Sequence, residues 1–179
     1  RGDIFTVPGL ELNAGVDWTE DVAEQRLALT NRVWVPPMEY TSLAPFAQLS
    51  YDIGPVTVAG GIRREDGELQ VDDYTTTWAR DRRFVEGGTL SYEENLPNFG
   101  VVWRVAPGLS MFASYSKGFT LPNVGIPLRN VQCSNDTPEG TQPDGCPNDP
   151  QPTVQGVLDL EPIVVDNTEV GFNWRGSRV

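Results

Sequence analysis

The chain has 179 residues, 39% of them hydrophobic, and a formal net charge of −12. A pI near 4.3 argues against a nucleic-acid partner, because nothing here would neutralise phosphates. No run approaches the roughly 18 apolar residues of a membrane helix, but a spanning β-strand needs only about 9–11 residues with every second one apolar, so a membrane barrel stays open. Eighteen Gly and fifteen Pro favour many turns over long helices.

Residues 1–9 read as an irregular lead-in. From Leu10 to Trp18 the alternation is clean: Leu10, Leu12, Ala14, Val16 and Trp18 share one face, and Glu11, Asn13, Gly15 and Asp17 the other. A period of two is a strand signal. One face is wet; the other is apolar and ends in a Trp, as at a membrane interface. A sandwich strand with Trp18 in its core has the same pattern. Residues 19–41 are expected to be a loop with a short helical turn near Val22–Leu29, ended by Pro36-Pro37.

The second strand is predicted over Leu43–Ile53, with Ala47, Leu49, Tyr51 and Ile53 alternating with Gln48, Ser50 and Asp52. Gly54-Pro55 make a short turn. Val56 to Arg64 return, with Val56, Val58, Gly60 and Ile62 outward and Thr57, Ala59, Gly61 and Arg63 inward. Residues 65–96 form a second long, charged loop carrying Tyr74, Trp78 and Phe84.

The clearest hairpin lies within Pro97–Gly125. Phe99, Val101, Trp103 and Val105 share a face, a three-residue turn Ala106-Pro107-Gly108 follows, and Leu109, Met111, Ala113 and Tyr115 return on one face. A third long loop covers 120–163, and Val164–Trp174 is the last strand, with Val170, Phe172 and Trp174 outward. Cys133 and Cys146 share this third loop. With no His and no CxxC, a zinc site is poorly supported; a disulfide closing a short loop, and hence an oxidising compartment, is the expectation, with two free thiols as the alternative.

These elements imply an all-β antiparallel meander of hairpins. Turns at one end are very short, while the connections at the other end are expected to be long; outer-membrane barrels segregate short periplasmic turns from long extracellular loops in this way. Six strands are too few to close such a barrel, whose smallest forms have about eight. The chain lacks an initiator Met and an apolar leader and stops just after Arg175-Gly176-Ser177, so residues 1–179 are read as part of a larger barrel domain.

Asn98-Phe99-Gly100-Val101-Val102-Trp103-Arg104, a turn, Met111 to Gly125, and then Leu158 to Trp174 resemble the mid-to-late barrel of TonB-dependent outer-membrane receptors. In that family a Tyr-Ser-x-Gly-Phe strand end precedes a loop, and the next strand starts from Leu-x-Pro-Glu and Tyr-Glu-Val-Gly elements. Here Leu160-Glu161-Pro162 and Thr168-Glu169-Val170-Gly171 stand in those places, with Glu-Pro reversed and Thr168 for the aromatic. Ala59 to Glu65 is similar to the family's Gly-x-Arg-x-Glu strand end. The resemblance covers roughly residues 42–174. It implies a plugged barrel of about 22 strands in the outer membrane of a Gram-negative bacterium, importing a ferric siderophore or similar chelate. It also implies energy from TonB through an upstream segment, contact with outer-membrane lipid, and no cofactor, iron entering only as chelated substrate.

No catalytic constellation is present: without His there is no Ser–His or Cys–His pair, so an enzyme is not expected. Neither Gly60-Gly61 nor Gly87-Gly88 has the setting of a phosphate loop, and no calcium-loop spacing or other metal site is evident. An anionic chelate would be met by arginine forks and flat aromatics. The candidates are Arg63, Arg80, Arg82, Arg83 and Arg129, with Tyr74, Trp78 and Phe84; for each arginine the competing reading is a solvated charge or a strut to a neighbouring acid. Trp18, Trp103, Trp174 and Tyr115 read as lipid-facing or girdle residues. Two other functions share much of this pattern: a passive porin-type channel with a constricting loop, and a secreted, disulfide-bridged β-sandwich that would fold in plain buffer.

Overall fold

The computed structural model describes residues 7–77, 82–131, 151–158 and 161–176. In chain order they form β1 (Leu10–Arg26), β2 (Val33–Ile53), β3 (Val56–Val71), β4 (Tyr74–Thr75), β5 (Phe84–Val85), β6 (Gly88–Ala106), β7 (Leu109–Thr120), α1 (Gly125–Arg129), α2 (Val154–Val157) and β8 (Ile163–Trp174). Six strands make one sheet in the order β1-β2-β3-β6-β7-β8, all antiparallel, so the expected meander is present; β4 and β5 form a separate ribbon. β1 and β8 are the sheet's edges, and it does not close on itself.

Directly opposed residues in an antiparallel ladder share a face, so register tests the faces read from alternation. The row Leu10–Tyr51–Val58–Val101–Ala113–Val170 crosses all six strands, and so does its neighbour on the other face, Glu11–Ser50–Ala59–Gly100–Ser114–Glu169. Every apolar stripe thus falls on one side. Trp18, Ile62, Phe99, Trp103 and Phe172 of that side stand exposed, a sheet-wide apolar surface that suits lipid and not water.

The turn end is tight. Gly54-Pro55 join β2 to β3, with Gly54 at φ 59°. The expected three-residue turn after Val105 is two residues, Pro107-Gly108, because Ala106 pairs with Leu109 and the register shift between Arg104 and Ala106 leaves Val105 as the extra residue of a bulge. Gly108 sits at φ 79°, and a Cβ there would lie 2.4 Å from the Arg175 carbonyl oxygen.

At the other end the strands run past their expected limits. No helical turn forms at Val22–Leu29: β1 and β2 stay paired up to Arg26 and Val33, leaving 27–32 as the connection. Pro36-Pro37 do not stop β2. The register slips between Ala23, opposite Met38, and Gln25, opposite Val35, so the prolines sit in a bulge; pairing to β3 begins only at Met38, and no ladder donor is missed. The second loop shrinks to 72–87 because β3 extends to Val71 and β6 starts at Gly88, and the third carries α1 and α2. Cys133 and Cys146 lie outside the described residues.

The packed core is at this end, on the inner face. Leu69 and Val71 of β3, Tyr92 of β6, Val85 of β5, Leu128 of α1, Val154 of α2 and Leu158 form one buried cluster, flanked by Met38, Tyr40 and Leu90. Leu69 opposes Tyr40 and Leu90, and Val71 opposes Met38 and Gly88. The inner face, polar along mid-sheet, therefore turns apolar where the two loops fold over it. Thr153 caps α2 by accepting from the Gly156 N–H, and Gln151 and Gln155 donate to the carbonyls of Phe84 and Thr89.

Candidate functional site

The inner face and its loop cap are where a solute passing the sheet would be met. Arg63 projects from β3 onto that face. It pairs with Asp17 of β1 and, at 3.0 Å, with Glu65, whose side chain is only 11% exposed. It is a strut between two strands and the reason an acid can sit buried at Glu65. Glu94, directly opposite Glu65, pairs with Lys117 at 3.4 Å.

Above this pair sit two tyrosines that sequence reasoning passed over. Tyr40 lies across Gly67, where a Cβ would come within 2.6 Å of its hydroxyl. Gly67 opposes Tyr92, whose buried hydroxyl has no hydrogen-bond partner among the described residues. The signal was in the sequence: Glu65, Gly67, Leu69 and Val71 continue the period of two on the inward parity.

Tyr74 does not present a free face to ligand. Its hydroxyl donates to the Leu128 carbonyl at 2.7 Å, tying the second loop to α1, and burial pushes its phenol well above the usual range. Arg83 is buried beside it, its N–H donating to the Thr76 hydroxyl while its carbonyl accepts from the Thr76 N–H. Arg82 and Phe84 are exposed on the same segment. Arg129 closes α1 with its guanidinium 5.4 Å from the centroid of the Trp34 ring, a cation–π contact with a residue not singled out from sequence. Trp78 and Arg80 lie outside the described residues. The candidates thus separate into a wall strut (Arg63), cap residues (Tyr74, Arg83) and two cations, the exposed Arg82 and the half-buried Arg129, for which no carboxylate partner appears among the described residues. No group of acids among those residues is arranged to hold a metal ion.

A sheet wet on one face and lipid-compatible on the other, with tight turns below and packed loops above, is the wall of a barrel. The family described as TonB dependent receptor-like, beta-barrel matches residues 2–179. The chain belongs to that family. It is similar to the ferric aerobactin receptor of Klebsiella pneumoniae, 29% identical over 101 residues that make up half of this chain and 14% of that protein. Its fold matches the copper transporter OprC (TM-score 0.66, 11% identity, 96% of this chain and 26% of that one). It also matches the ferric-catecholate import receptor Fiu of E. coli K12 in its closed form (TM-score 0.60, 13% identity, 95% and 27%). The chain thus spans between 14% and 27% of the length of each of these proteins. Membership in a receptor family bears out the expectation of a receptor and not an enzyme, and sets aside the soluble sandwich.

Proposed function

We propose that the whole protein is a TonB-energised receptor in the outer membrane of a Gram-negative bacterium, importing a ferric siderophore or similar iron chelate. The observation that carries this reading is the family match over residues 2–179, joined to the likeness to a ferric aerobactin receptor. Residues 1–179 supply part of the barrel wall; the plug and the segment that meets TonB belong to other parts of the chain. Iron is cargo, held by its chelator, and the protein brings no cofactor. The wet face of the sheet lines the lumen, its apolar face meets lipid, and Arg82 and Arg129 at the loop end meet the chelate, while Arg63 holds the wall together. A passive channel would also carry packed loop segments on the inner face, as α1 and α2 are here, but would run without energy. The test is uptake of radioactive iron chelates by cells with and without the parent gene. Uptake lost with the gene, with TonB, or on adding a protonophore supports the reading. Gene-dependent uptake that continues without TonB and after collapse of the proton gradient refutes it and leaves the channel.

A further inference from the structure

The sheet is not continuous towards its loop end. β3 and β6 stay paired from Val56 opposite Trp103 to Val71 opposite Gly88, and β7 and β8 from Leu109 opposite Trp174 to Thr120 opposite Ile163. Between these two halves, β6 and β7 pair only as far as Asn98 opposite Ser116. Pro97, the next residue of β6, has no N–H to give to a ladder. Beyond it, residues 88–97 of β6 and 117–120 of β7 each have a strand partner on one side only, and no ladder pair joins them among the described residues. A seam therefore splits the upper wall. Lys117 crosses it to reach Glu94 at 3.4 Å, with side chains 29% and 24% exposed, so water screens the pair only in part. Glu94 lies directly opposite Glu65, and Arg63 already serves Glu65. Lys117 is thus the cation that keeps two opposed carboxylates from facing each other with one charge uncovered. Phe119 adds an apolar contact with the core on the inner face.

We infer that the upper ends of β7 and β8 form a flap, hinged at the Asn98–Ser116 pair and latched by Lys117 on Glu94. Parting it from β6 breaks no ladder pair of the sheet; it opens the ion pair and the Phe119 contact. The flap keeps its own ladder, Lys117 opposite Asp166 to Thr120 opposite Ile163, and so moves as one piece. The cap stays behind, because Leu128, Val154 and Leu158 pack with Leu69, Val71 and Tyr92 of β3 and β6, and Glu86 bonds to Pro152 and Val154. Leu121 to Asn123, without regular structure, are the tether between flap and cap. The device depends on the register of the wall and on one ion pair, whatever the cargo.

The test uses the full-length parent protein in detergent, with spin labels carried on genetically encoded residues. One pair replaces Ser91 and Thr120, exposed on either side of the seam; the control pair replaces Glu39 and Ser91, both on the β1–β6 side. The distance distribution across the seam is expected to hold a second, longer population. Lys117→Gln should enlarge it about fivefold, the scale of one partly exposed ion pair, and Lys117→Glu should enlarge it further. Glu94→Lys alone should do the same, and Glu94→Lys with Lys117→Glu should bring it back. High salt should enlarge it in the wild type and add nothing in Lys117→Gln. The control distance should stay the same throughout. A distribution across the seam that neither Lys117→Gln nor Lys117→Glu moves overturns the latch. A matching change in the control pair overturns the seam, since the whole wall would then be loosening.

Discussion

Leu128→Ala tests whether the loop cap is a fixed part of the wall. Leu128 is fully buried, packed with Val154, Leu158, Leu69 and Val71, and its carbonyl accepts from Tyr74. α1 is five residues long, too short to persist on its own, so its order derives from this packing. Removing three carbons from a buried site costs about 2–5 kcal/mol. Taking about 3 kcal/mol, the opened cap becomes roughly 150-fold more populated, at about 1.4 kcal/mol per tenfold. Hydrogen exchange on the full receptor in detergent reads this directly. The Leu128 and Asn130 amides, which donate to the Val124 and Ile126 carbonyls, should exchange about two orders of magnitude faster. Amides in the mid-sheet ladder, such as Val58 opposite Val101, should not change. A change at α1 below about fivefold, or an equal change in mid-sheet, would refute the argument that the cap is held by its own core.

Other outcomes follow from the same geometry. Arg63→Gln strands the nearly buried Glu65 and should destabilise the detergent-solubilised receptor by roughly 1–2 kcal/mol after discounting for partial exposure, read as a lower thermal unfolding temperature; adding Glu65→Gln should restore part of it. Loss of chelate binding with unchanged unfolding would instead make Arg63 a ligand contact. Gly108→Ala, with φ 79° and a 2.4 Å approach to the Arg175 carbonyl, should sharply reduce assembled barrel in the outer membrane, whereas Gly54→Ala, with nothing within 4 Å, should cost only about 1–2 kcal/mol. Burial raises the Tyr74 pKa above its unfolded value near 10, so its contribution is complete below pH 10 and is lost as pH climbs from there through the folded value. The α1 amides, measured against an unstructured peptide standard, should lose protection above pH 10 in the wild type and not in Tyr74→Phe.

How far the sequence could be read depended on which side of a strand was being watched. The outward stripe from Leu10 to Trp18, and its partners on five further strands, was legible because lipid demands apolar residues at every second position with no help from elsewhere. The tops of the strands were hidden. Past Arg63-Arg64 the apolar parity reverses: on β3 the even-numbered Val56, Val58 and Ile62 face outward below, while the odd-numbered Leu69 and Val71 face inward above. Scanned for the outward stripe, residues 65–71 look like a charged loop, since Asp66, Glu68 and Gln70 now stand outside. Pro36-Pro37 misled for a related reason, because only the pairing partner shows that a bulge excuses their missing donors. For Arg63 and Tyr74, residue type pointed to ligand contacts while the partners that occupy them come from distant parts of the chain, Asp17 and Leu128.

That reversal of parity also bears on where an anion can be met. On the lumen wall at mid-sheet, Arg63 is neutralised by Asp17 and Glu65, and Glu11 and Glu169 share the same face, so this stretch of wall repels an anion. Farther up, the inner face is dry and covered, and it offers packing in place of charge. Positive charge without a close acid among the described residues survives where the cap meets the vestibule, at Arg82 and Arg129. Along this stretch of the sheet, positive charge without a near acid among the described residues therefore lies at the loop end, and the wall below pairs its arginine with acids.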